Sequence, residues 1–268
     1  MVDLSYFDLI DPTPYNYKDI CHIRSVKLSD ISALEDKYAT YKTYINLLGL
    51  DVEDYYSLME LTDDDVVEIS KKFEDVGRRP NIYDLVVQTP SLLNELIVAL
   101  NFFIVEDIAY SKDKYSFCTY IIGEDDEVKP VSYFGYDNYD EIVDIINQRH
   151  SISRPSSEDK IENQIFKNAR ARQLWLKMND PKVKALKKKQ SEKKYDLANV
   201  ISSLSAKSKT ISILNVWDLT VYNVYDQFER ERTNAIDSMN ARSVSVWGDG
   251  DKKYNYEQWY ENIKEGNN

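Results

Sequence analysis

The sequence is poor in glycine and proline, the residues that most often make tight turns. It has 7 of each among 268 residues, together about 5% of the chain against roughly 12% in average usage. Because glycine is the residue that most readily takes a positive φ, a chain with so little of it has few tight turns. The composition therefore favours helices over a many-stranded sheet.

Cysteine and histidine are also scarce. The two cysteines, Cys21 and Cys118, are too few for the disulfide framework of a small secreted protein, so a reducing compartment is expected. The two histidines, His22 and His150, do not lie in a Cys/His cluster with metal-ligand spacing. We expect single surface or boundary histidines, and neither a catalytic triad nor a zinc site.

Motifs that specify a chemistry are missing too. The chain contains no GxGxxG, GxxxxGK[ST], GxSxG or HExxH, so the usual support for nucleotide-dependent or hydrolytic enzymes is absent. Its acidic clusters lack the ligand spacing of an EF-hand loop, and only Asp249 with Asp251 leaves a weak metal option. We therefore predict a protein that is not an enzyme and that has no cofactor and no metal.

Apolar runs are short. The longest, Leu92 to Val105, is broken by polar residues and falls short of the roughly 20 residues that span a bilayer. It predicts a core helix, with no membrane contact. The opening residues are acidic and broken by prolines, and they predict no secretory signal. With a hydrophobic fraction of 43%, the chain is long enough to bury a real core.

Charge is abundant and unevenly distributed. The net charge is −12, yet residues 160–194 hold twelve Lys and Arg against three acids. That segment therefore carries +9 and the remainder −21. Such a split indicates two surfaces with different partners, or one surface folding back on the other.

Apolar periodicity predicts most of the secondary structure of the first 150 residues. Spacings of three and four from Ile31 to Leu48 predict one amphipathic helix that ends at Gly49. Further helices are expected over 52–61, from about 63, and over 138–148, and the most hydrophobic one follows 89–91 at the centre of the core. Residues 20–26 predict a short strand, and 116–122 and 131–134 predict two strands joined by an acidic turn at 123–127.

The C-terminal half predicts helices alone. Residues 197–207 form one, and a long helix is expected from about Ile213 to Ala241. The predicted fold is α+β, predominantly helical with a small antiparallel sheet, and with an all-α C-terminal region. Three parts are expected: a mostly helical α+β domain over 1–153, a basic helical connector over 154–195, and a helical region over 196–268.

An apolar seam on the long C-terminal helix is the first candidate for a binding surface. Its members step by three and four residues, and the aromatic tail beyond it is too apolar for a disordered end. Such a seam is more often core, and its alternative use is a groove for a partner's amphipathic helix. The candidate partner-binding residues are Trp217, Val221, Val224, Phe228, Trp247 and Trp259.

The basic segment is the second candidate. Clustered Lys and Arg bind phosphate backbones, whereas the acidity of the rest of the chain repels nucleic acid. The alternatives are a charged arm that docks on a protein, a solvated helix and linker, or a nucleic-acid-binding accessory role. The residues at issue are Arg170, Arg172, Lys187, Lys188 and Lys189.

Several segments resemble proteins encoded among the tail and baseplate genes of tailed phages that infect low-GC Gram-positive hosts. The most specific stretch is WDLTVYNVYDQF, within ILNVWDLTVYNVYDQFERERTNAIDSMNARSVSVWG. LANVISSLSAKS, FGYDNYDEIVDIINQRH and ICHIRSVKLSDISALEDKYATYKTYINLLG are similar in layout. The resemblance implies a non-enzymatic role in virion morphogenesis in the host cytoplasm, as a tail or baseplate assembly chaperone. Its partners would be tail proteins such as the tape measure protein or baseplate components.

Overall fold

The computed structural model of the chain describes residues 2–75, 77–122, 128–152, 165–179, 196–250, 254–257 and 259–260. Helices occupy far more of these residues than strands do, and two small antiparallel sheets complete the fold. The predicted class, a predominantly helical α+β fold with a helical C-terminal region, is confirmed. The predicted boundaries of the three parts stay a prediction.

The helices and strands follow one another as in the printed sequence. The helices of the first 150 residues are α1 (Tyr6–Ile10), α2 (Leu28–Ser32), α3 (Tyr38–Leu48), α4 (Val52–Leu58), α5 (Asp63–Asp75), α6 (Ile82–Gln88), α7 (Pro90–Phe103) and α8 (Tyr136–Arg149). The later helices are α9 (residues 169–179), α10 (Leu197–Lys207), a 3-10 helix at Val216–Asp218, and α11 (Val221–Trp247). The strands are β1 (Tyr15–Tyr17), β2 (Cys21–Ile23), β3 (Asp107–Ser111), β4 (Ser116–Ile122) and β5 (Val128–Phe134).

Helix α7 lies at the centre of the hydrophobic core, as predicted. Leu96, Ala99, Leu100 and Phe103 on this helix are completely enclosed by other side chains. Its first residue is Pro90, at a position where the missing N–H removes no helical hydrogen bond. Helices α3 and α6 and strand β3 pack against α7, so the most apolar helix is covered from several sides.

No single helix in the described part of the chain is long and apolar enough to cross a membrane. Helices α6 and α7 have the length and apolar composition of a membrane span only when they are taken together, and the chain bends by 111° between them. Most of the apolar side chains of α7 are buried within the protein core.

The helix predicted from Ile31 to Leu48 is in fact two helices, and that prediction was wrong in its continuity. Helix α2 ends where the N–H of Ala33 caps it, and Lys37, which precedes α3, has a φ of +48°. A positive φ cannot continue a right-handed helix. The apolar spacing carries across the break because both helices bury one face against the same core, through Ile31 and Tyr41 among others.

The first sheet is a hairpin of β1 and β2, of which only β2 was predicted. Tyr15 pairs with Ile23 and Tyr17 with Cys21. The hairpin reaches the end of α7, because Ile23 forms an isolated bridge with Ile104. Strand β1 was missed because its three residues follow Pro12 and Pro14 and show little alternation, whereas β2 lies within the longer alternating run 20–26.

The second sheet is an antiparallel meander in the order β3-β4-β5. Strand β4 has the predicted bounds, β5 begins three residues earlier than expected, and β3 was missed. The early part of β5 contains Lys129 and Pro130, residues that are depleted in strands but tolerated at an edge. The acidic turn predicted at 123–127 lies outside the described residues.

Helix α11 begins at Val221, eight residues later than predicted, and continues to Trp247. The helix begins there because the Thr220 side chain accepts a hydrogen bond from the N–H of Asn223, the capping interaction that ends an extended segment. The helix was predicted to begin earlier because apolar residues continue before Thr220. These residues belong in part to the 3-10 helix Val216–Asp218, in which Val216 is buried. Helix α10 has the predicted bounds.

A buried arginine ties the N-terminal loop to helix α8. The Arg149 guanidinium donates to the backbone oxygens of Asp11, at 2.8 Å, and of Thr13, at 2.6 Å, and also to the hydroxyl of Ser25. Only 2% of Arg149 is exposed, and burial lowers the pKa of its guanidinium. The planar fork of arginine reaches these three separated acceptors from different nitrogens, whereas lysine offers donors from a single nitrogen only.

We expect Arg149→Lys to lower the free energy of unfolding by about 2 kcal/mol, because buried acceptors lose their donors. Urea denaturation of the variant and of the wild type measures the difference. Arg170→Lys is the matched control, since Arg170 is exposed on α9. An equal, small effect of both changes would contradict the structural role of Arg149.

Candidate partner-binding surface

The first two turns of α11 are anchored in the core. The N–H of Val221 donates to the carbonyl of Val26 at 2.9 Å, and the N–H of Leu28 donates to the carbonyl of Leu219 at 3.0 Å. Val221 and Val224 are buried in the same hydrophobic cluster as α7. The start of α11 is therefore held to α2 by backbone hydrogen bonds and by apolar packing.

Polar contacts fasten the same part of α11 to helix α1. The Tyr6 hydroxyl donates to Oδ1 of Asp226 at 2.7 Å and accepts from Arg230 at 3.2 Å. The side chain of Asn223 donates to the carbonyl of Ile10 at 3.1 Å. Burial, followed by the contact with Asp226, raises the pKa of Tyr6, so Tyr6 stays a neutral donor at physiological pH.

Beyond Phe228, no residue of α11 belongs to the hydrophobic core of the described chain. We call residues 229–250, 254–257 and 259–260 the C-terminal arm. Several large apolar side chains of the arm are exposed, among them Met239 (63%), Val246 and Trp247 (83%). At about 1.5 Å per residue, Glu229 to Trp247 extends about 28 Å from the core.

The tail turns back along the arm helix. Gly248 follows the helix with a φ of +76°, a conformation that favours glycine. The Asp249 side chain accepts from the N–H of Tyr254 at 3.1 Å, and the Tyr254 hydroxyl donates to Oδ1 of Asp237 at 2.9 Å. The hydrogen bond to Asp237 raises the pKa of Tyr254. Trp259 and Tyr260 are more than half exposed.

The structure separates the predicted partner-binding residues into three groups. Val221 and Val224 lie in the core, and Phe228 packs partly against it. Trp217 lies before α11, not on it, and its indole N–H donates to the carbonyl of Ile213 at 2.8 Å. Trp247 and Trp259 are exposed on the arm. The helical part of the predicted seam is therefore mostly interior. Of the six candidate residues, Trp247 and Trp259 on the arm are the most exposed, and Trp217 is 38% exposed.

The predicted partner-binding residues omit five exposed residues of the arm, and one of the five is Ile236 on the helix. Met239 and Val246 lie on the helix, and Tyr256 and Tyr260 lie on the tail. The tail was noticed for its aromatic residues. The helix residues were missed because the predicted helix ended at Ala241 and its apolar positions were assigned to the core.

The described part of the basic segment, residues 165–179, contacts the acidic helices α4 and α5 through Arg172. The Arg172 guanidinium donates two hydrogen bonds of 3.1 Å to the carboxylate of Glu53 and one of 2.9 Å to Asp63. It lies over the rings of Tyr56 and Phe166. Arg172 is 6% exposed, so one of the predicted phosphate-binding residues is occupied within the chain.

The acidic side of this contact is partly dehydrated. Burial raises the pKa of Glu53, and the Arg172 charge opposes that rise. The carboxylate of Asp63 lies at the N-terminus of α5, where the helix dipole favours negative charge. Arg170 on the same helix α9 is exposed. Lys187, Lys188 and Lys189 lie outside the described residues.

A cleft of about 240 Å³ opens between α3, the end of α8, α10 and α11. Tyr38, Tyr41, Tyr225 and His150 are among the residues that line it. Burial raises the pKa of Tyr41 and Tyr225, so both remain neutral. His150 packs against the rings of Tyr41 and Phe103 and is buried; it is not a surface histidine.

The other histidine forms a polar pair that the sequence did not indicate. Nδ1 of His22 is 2.5 Å from Oε1 of Glu106, whose Oε2 accepts from the His22 N–H. In the described part of the chain, no three His, Cys, Asp or Glu side chains cluster as metal ligands do. Asp251 lies outside that part, and the hydrogen bond from Tyr254 accounts for Asp249.

The fold and this surface define a class: a helix-rich α+β protein with a projecting C-terminal helix and exposed aromatic residues. Residues 187–264 match the family described as the YomV second domain. That family is phage-derived, and the match supports a phage origin for this protein. The match covers α10, α11 and the arm, less than a third of the chain. No curated protein and no solved structure matched the chain.

Replacing Arg172 tests the contact between the basic segment and the acidic helices. We expect Arg172→Ala to lower the free energy of unfolding by about 2 kcal/mol near neutral pH, because two partly buried carboxylates lose their counter-charge. Arg170→Ala, the exposed neighbour on α9, is expected to change it by less than about 0.5 kcal/mol. Urea denaturation measures both.

The effect of Arg172→Ala is expected to depend on pH. Because the folded-state pKa of Glu53 is raised, its contribution favours folding at low pH and is lost as the pH rises through that pKa. Without Arg172 this loss is larger, so the variant is expected to be more destabilised near pH 7 than near pH 4. A difference that does not change with pH would contradict the ion pair.

Proposed function

We propose that this protein is a phage virion morphogenesis protein that acts as a tail or baseplate assembly chaperone. The observation that carries the proposal is the coincidence of two features on one region. The phage-derived family match spans 187–264, and that region contains the arm, on which Met239, Val246 and Trp247 are exposed. The resemblance of WDLTVYNVYDQF to phage tail and baseplate proteins points to the same region.

The arm has the composition of a protein-binding surface. Exposed tryptophan and tyrosine provide large contact areas at a small cost in conformational entropy, and they are enriched where proteins bind one another. Trp247 and Trp259 carry the most apolar area of the arm, and Tyr256 and Tyr260 add to it. The partners we propose are tail proteins, such as the tape measure protein or baseplate components.

The charge of the protein suits a chaperone that must release its client. The net charge of −12 keeps the free protein soluble and disfavours nonspecific association with nucleic acid. A small aromatic surface on an acidic body binds a client with limited area, which permits release when the client polymerises. We propose that the protein does its work in the host cytoplasm and that it has no catalytic activity.

Co-expression with the tail proteins of the same phage tests the proposal. We expect the tagged wild-type chain to recover a tape measure or baseplate protein, and the double variant Trp247→Ser, Trp259→Ser to recover about tenfold less, since buried tryptophans dominate interface energies. The matched control is Phe7→Ser with Tyr115→Ser, which removes two aromatic residues of comparable average exposure that lie on the body of the protein.

Three results would contradict the role. The first is a wild type that brings down no tail protein, and the second is an equal loss of the client in both double variants. Recovery of nucleic acid that disappears on raising the salt concentration would instead favour the basic segment 160–194 as a nucleic-acid-binding element.

A further inference from the structure

The sequence of the arm helix is a poor former of isolated helices. Of the residues from Glu229 to Trp247, more than half are Thr, Asn, Ser, Asp, Val, Ile or Trp, which have lower helix propensity than Ala, Leu or Glu. The ion pair that supports this stretch is that of Arg232 with Glu229, at 3.2 Å, worth a few tenths of a kcal/mol. A helix with such a composition depends on burial against another surface.

An apolar strip follows the side of the arm that the tail leaves open. It consists of Ala235, Ile236, Met239 and Val246, with the small polar Ser243 between the last two. At about 100° per residue, all of these positions lie within about 60° of Met239 around the helix. Tyr254 of the tail bonds to Asp237, two residues from both Ala235 and Met239. Because two residues correspond to about 200° of helix rotation, the tail and the strip occupy opposite faces.

Two charged residues along one edge of the strip are of opposite sign. Glu231 and Arg242 are eleven residues apart, close to three full turns, so they line the same edge. Within the described part of the chain, neither has an ion-pair partner. When two helices pack antiparallel, each edge of one strip lies against the same edge of the other, so this arrangement of charges is complementary to itself.

The symmetry of the strip matches the symmetry of the charges. Position 237 is the midpoint between Ala235 and Met239. The midpoint between Glu231 and Arg242 lies half a residue before it, so both pairs are centred on nearly the same point of the helix. One twofold axis therefore places Ala235 against Met239 of a second copy, a small residue against a large one. The same axis places Glu231 against Arg242 of a second copy, and each contact occurs twice.

We propose that the arm of one copy packs antiparallel against the arm of a second copy and forms a homodimer. A parallel arrangement would place the edge that carries Glu231 and Arg242 against the opposite edge of the second copy, so these two charges would not meet. It would also bring two acidic bodies together. The antiparallel arrangement separates those bodies by about the 28 Å length of the arm. At physiological ionic strength, salt largely screens the repulsion between surface charges at that distance. This inference does not depend on the proposed function, which concerns the aromatic residues and other proteins.

The size of the contact sets the expected strength. Two helices of this length bury on the order of 1,000 Å², near the lower limit of a specific interface. We therefore expect a dimer with a micromolar dissociation constant, which forms at the concentrations of an assembly reaction. Trp247 and the tail remain outside the strip and stay accessible to another protein.

Sedimentation equilibrium of the full chain with charge-reversal variants tests the pairing. We expect the wild type to dimerise and Arg242→Glu to weaken the dimer by about tenfold or more, because two attractive contacts become repulsive. Adding Glu231→Arg to Arg242→Glu is expected to restore the dimer, since both contacts become attractive again. Arg170→Glu, with the same change of net charge on an exposed position of α9, is expected to leave the dimer unchanged.

The outcomes separate cleanly. A wild type that stays monomeric up to submillimolar concentration, or a dimer that Arg242→Glu does not weaken, overturns the proposal. Failure of the double variant to restore the dimer overturns the antiparallel pairing. A dimer that forms without any recovery of tail proteins in co-expression leaves this inference standing and contradicts the proposed function alone.

Discussion

The need to cover helix α7 on several sides determines how the rest of the described chain is arranged. Because its apolar residues extend nearly all round, one neighbouring helix cannot bury them, and α3, α6 and β3 each take part of its surface. Asn101, near its C-terminal end, exchanges hydrogen bonds with the backbone of Ile108 and so joins α7 to β3. The strand therefore begins where the helix directs it.

The same core leaves room for only the first turns of α11. Val221 and Val224 fill the last positions in it, and the polar contacts of Tyr6 and Asn223 fasten those turns to α1. From Glu229 onward no residue of the helix belongs to the core, and Met239, Val246 and Trp247 are exposed. The candidate surface is thus a consequence of how much helix the core accommodates.

Charge segregation has a structural as well as a functional meaning. The positive segment is most easily interpreted from sequence as a nucleic-acid site, yet Arg172 binds two carboxylates of α4 and α5 and lies over two aromatic rings. An ion pair in this setting is costly to break on one side only. Of the two interpretations of the charge split, this residue supports the one in which one surface folds back on the other.

The sequence alone determined the elements whose signals are local. Helix α10, strand β4, the apolar α7 and the helical class all follow from periodicity, capping and the scarcity of glycine, because these act between residues close in the chain. The tertiary structure decided what depends on distant contacts. It divided the predicted first helix at Lys37, moved the start of α11 to Val221, and buried Val221, Val224 and Arg172 while leaving Trp247 and Trp259 exposed. An apolar or charged residue has the same identity in a core, in an ion pair or on a surface, and only its neighbours in space decide which of these it serves.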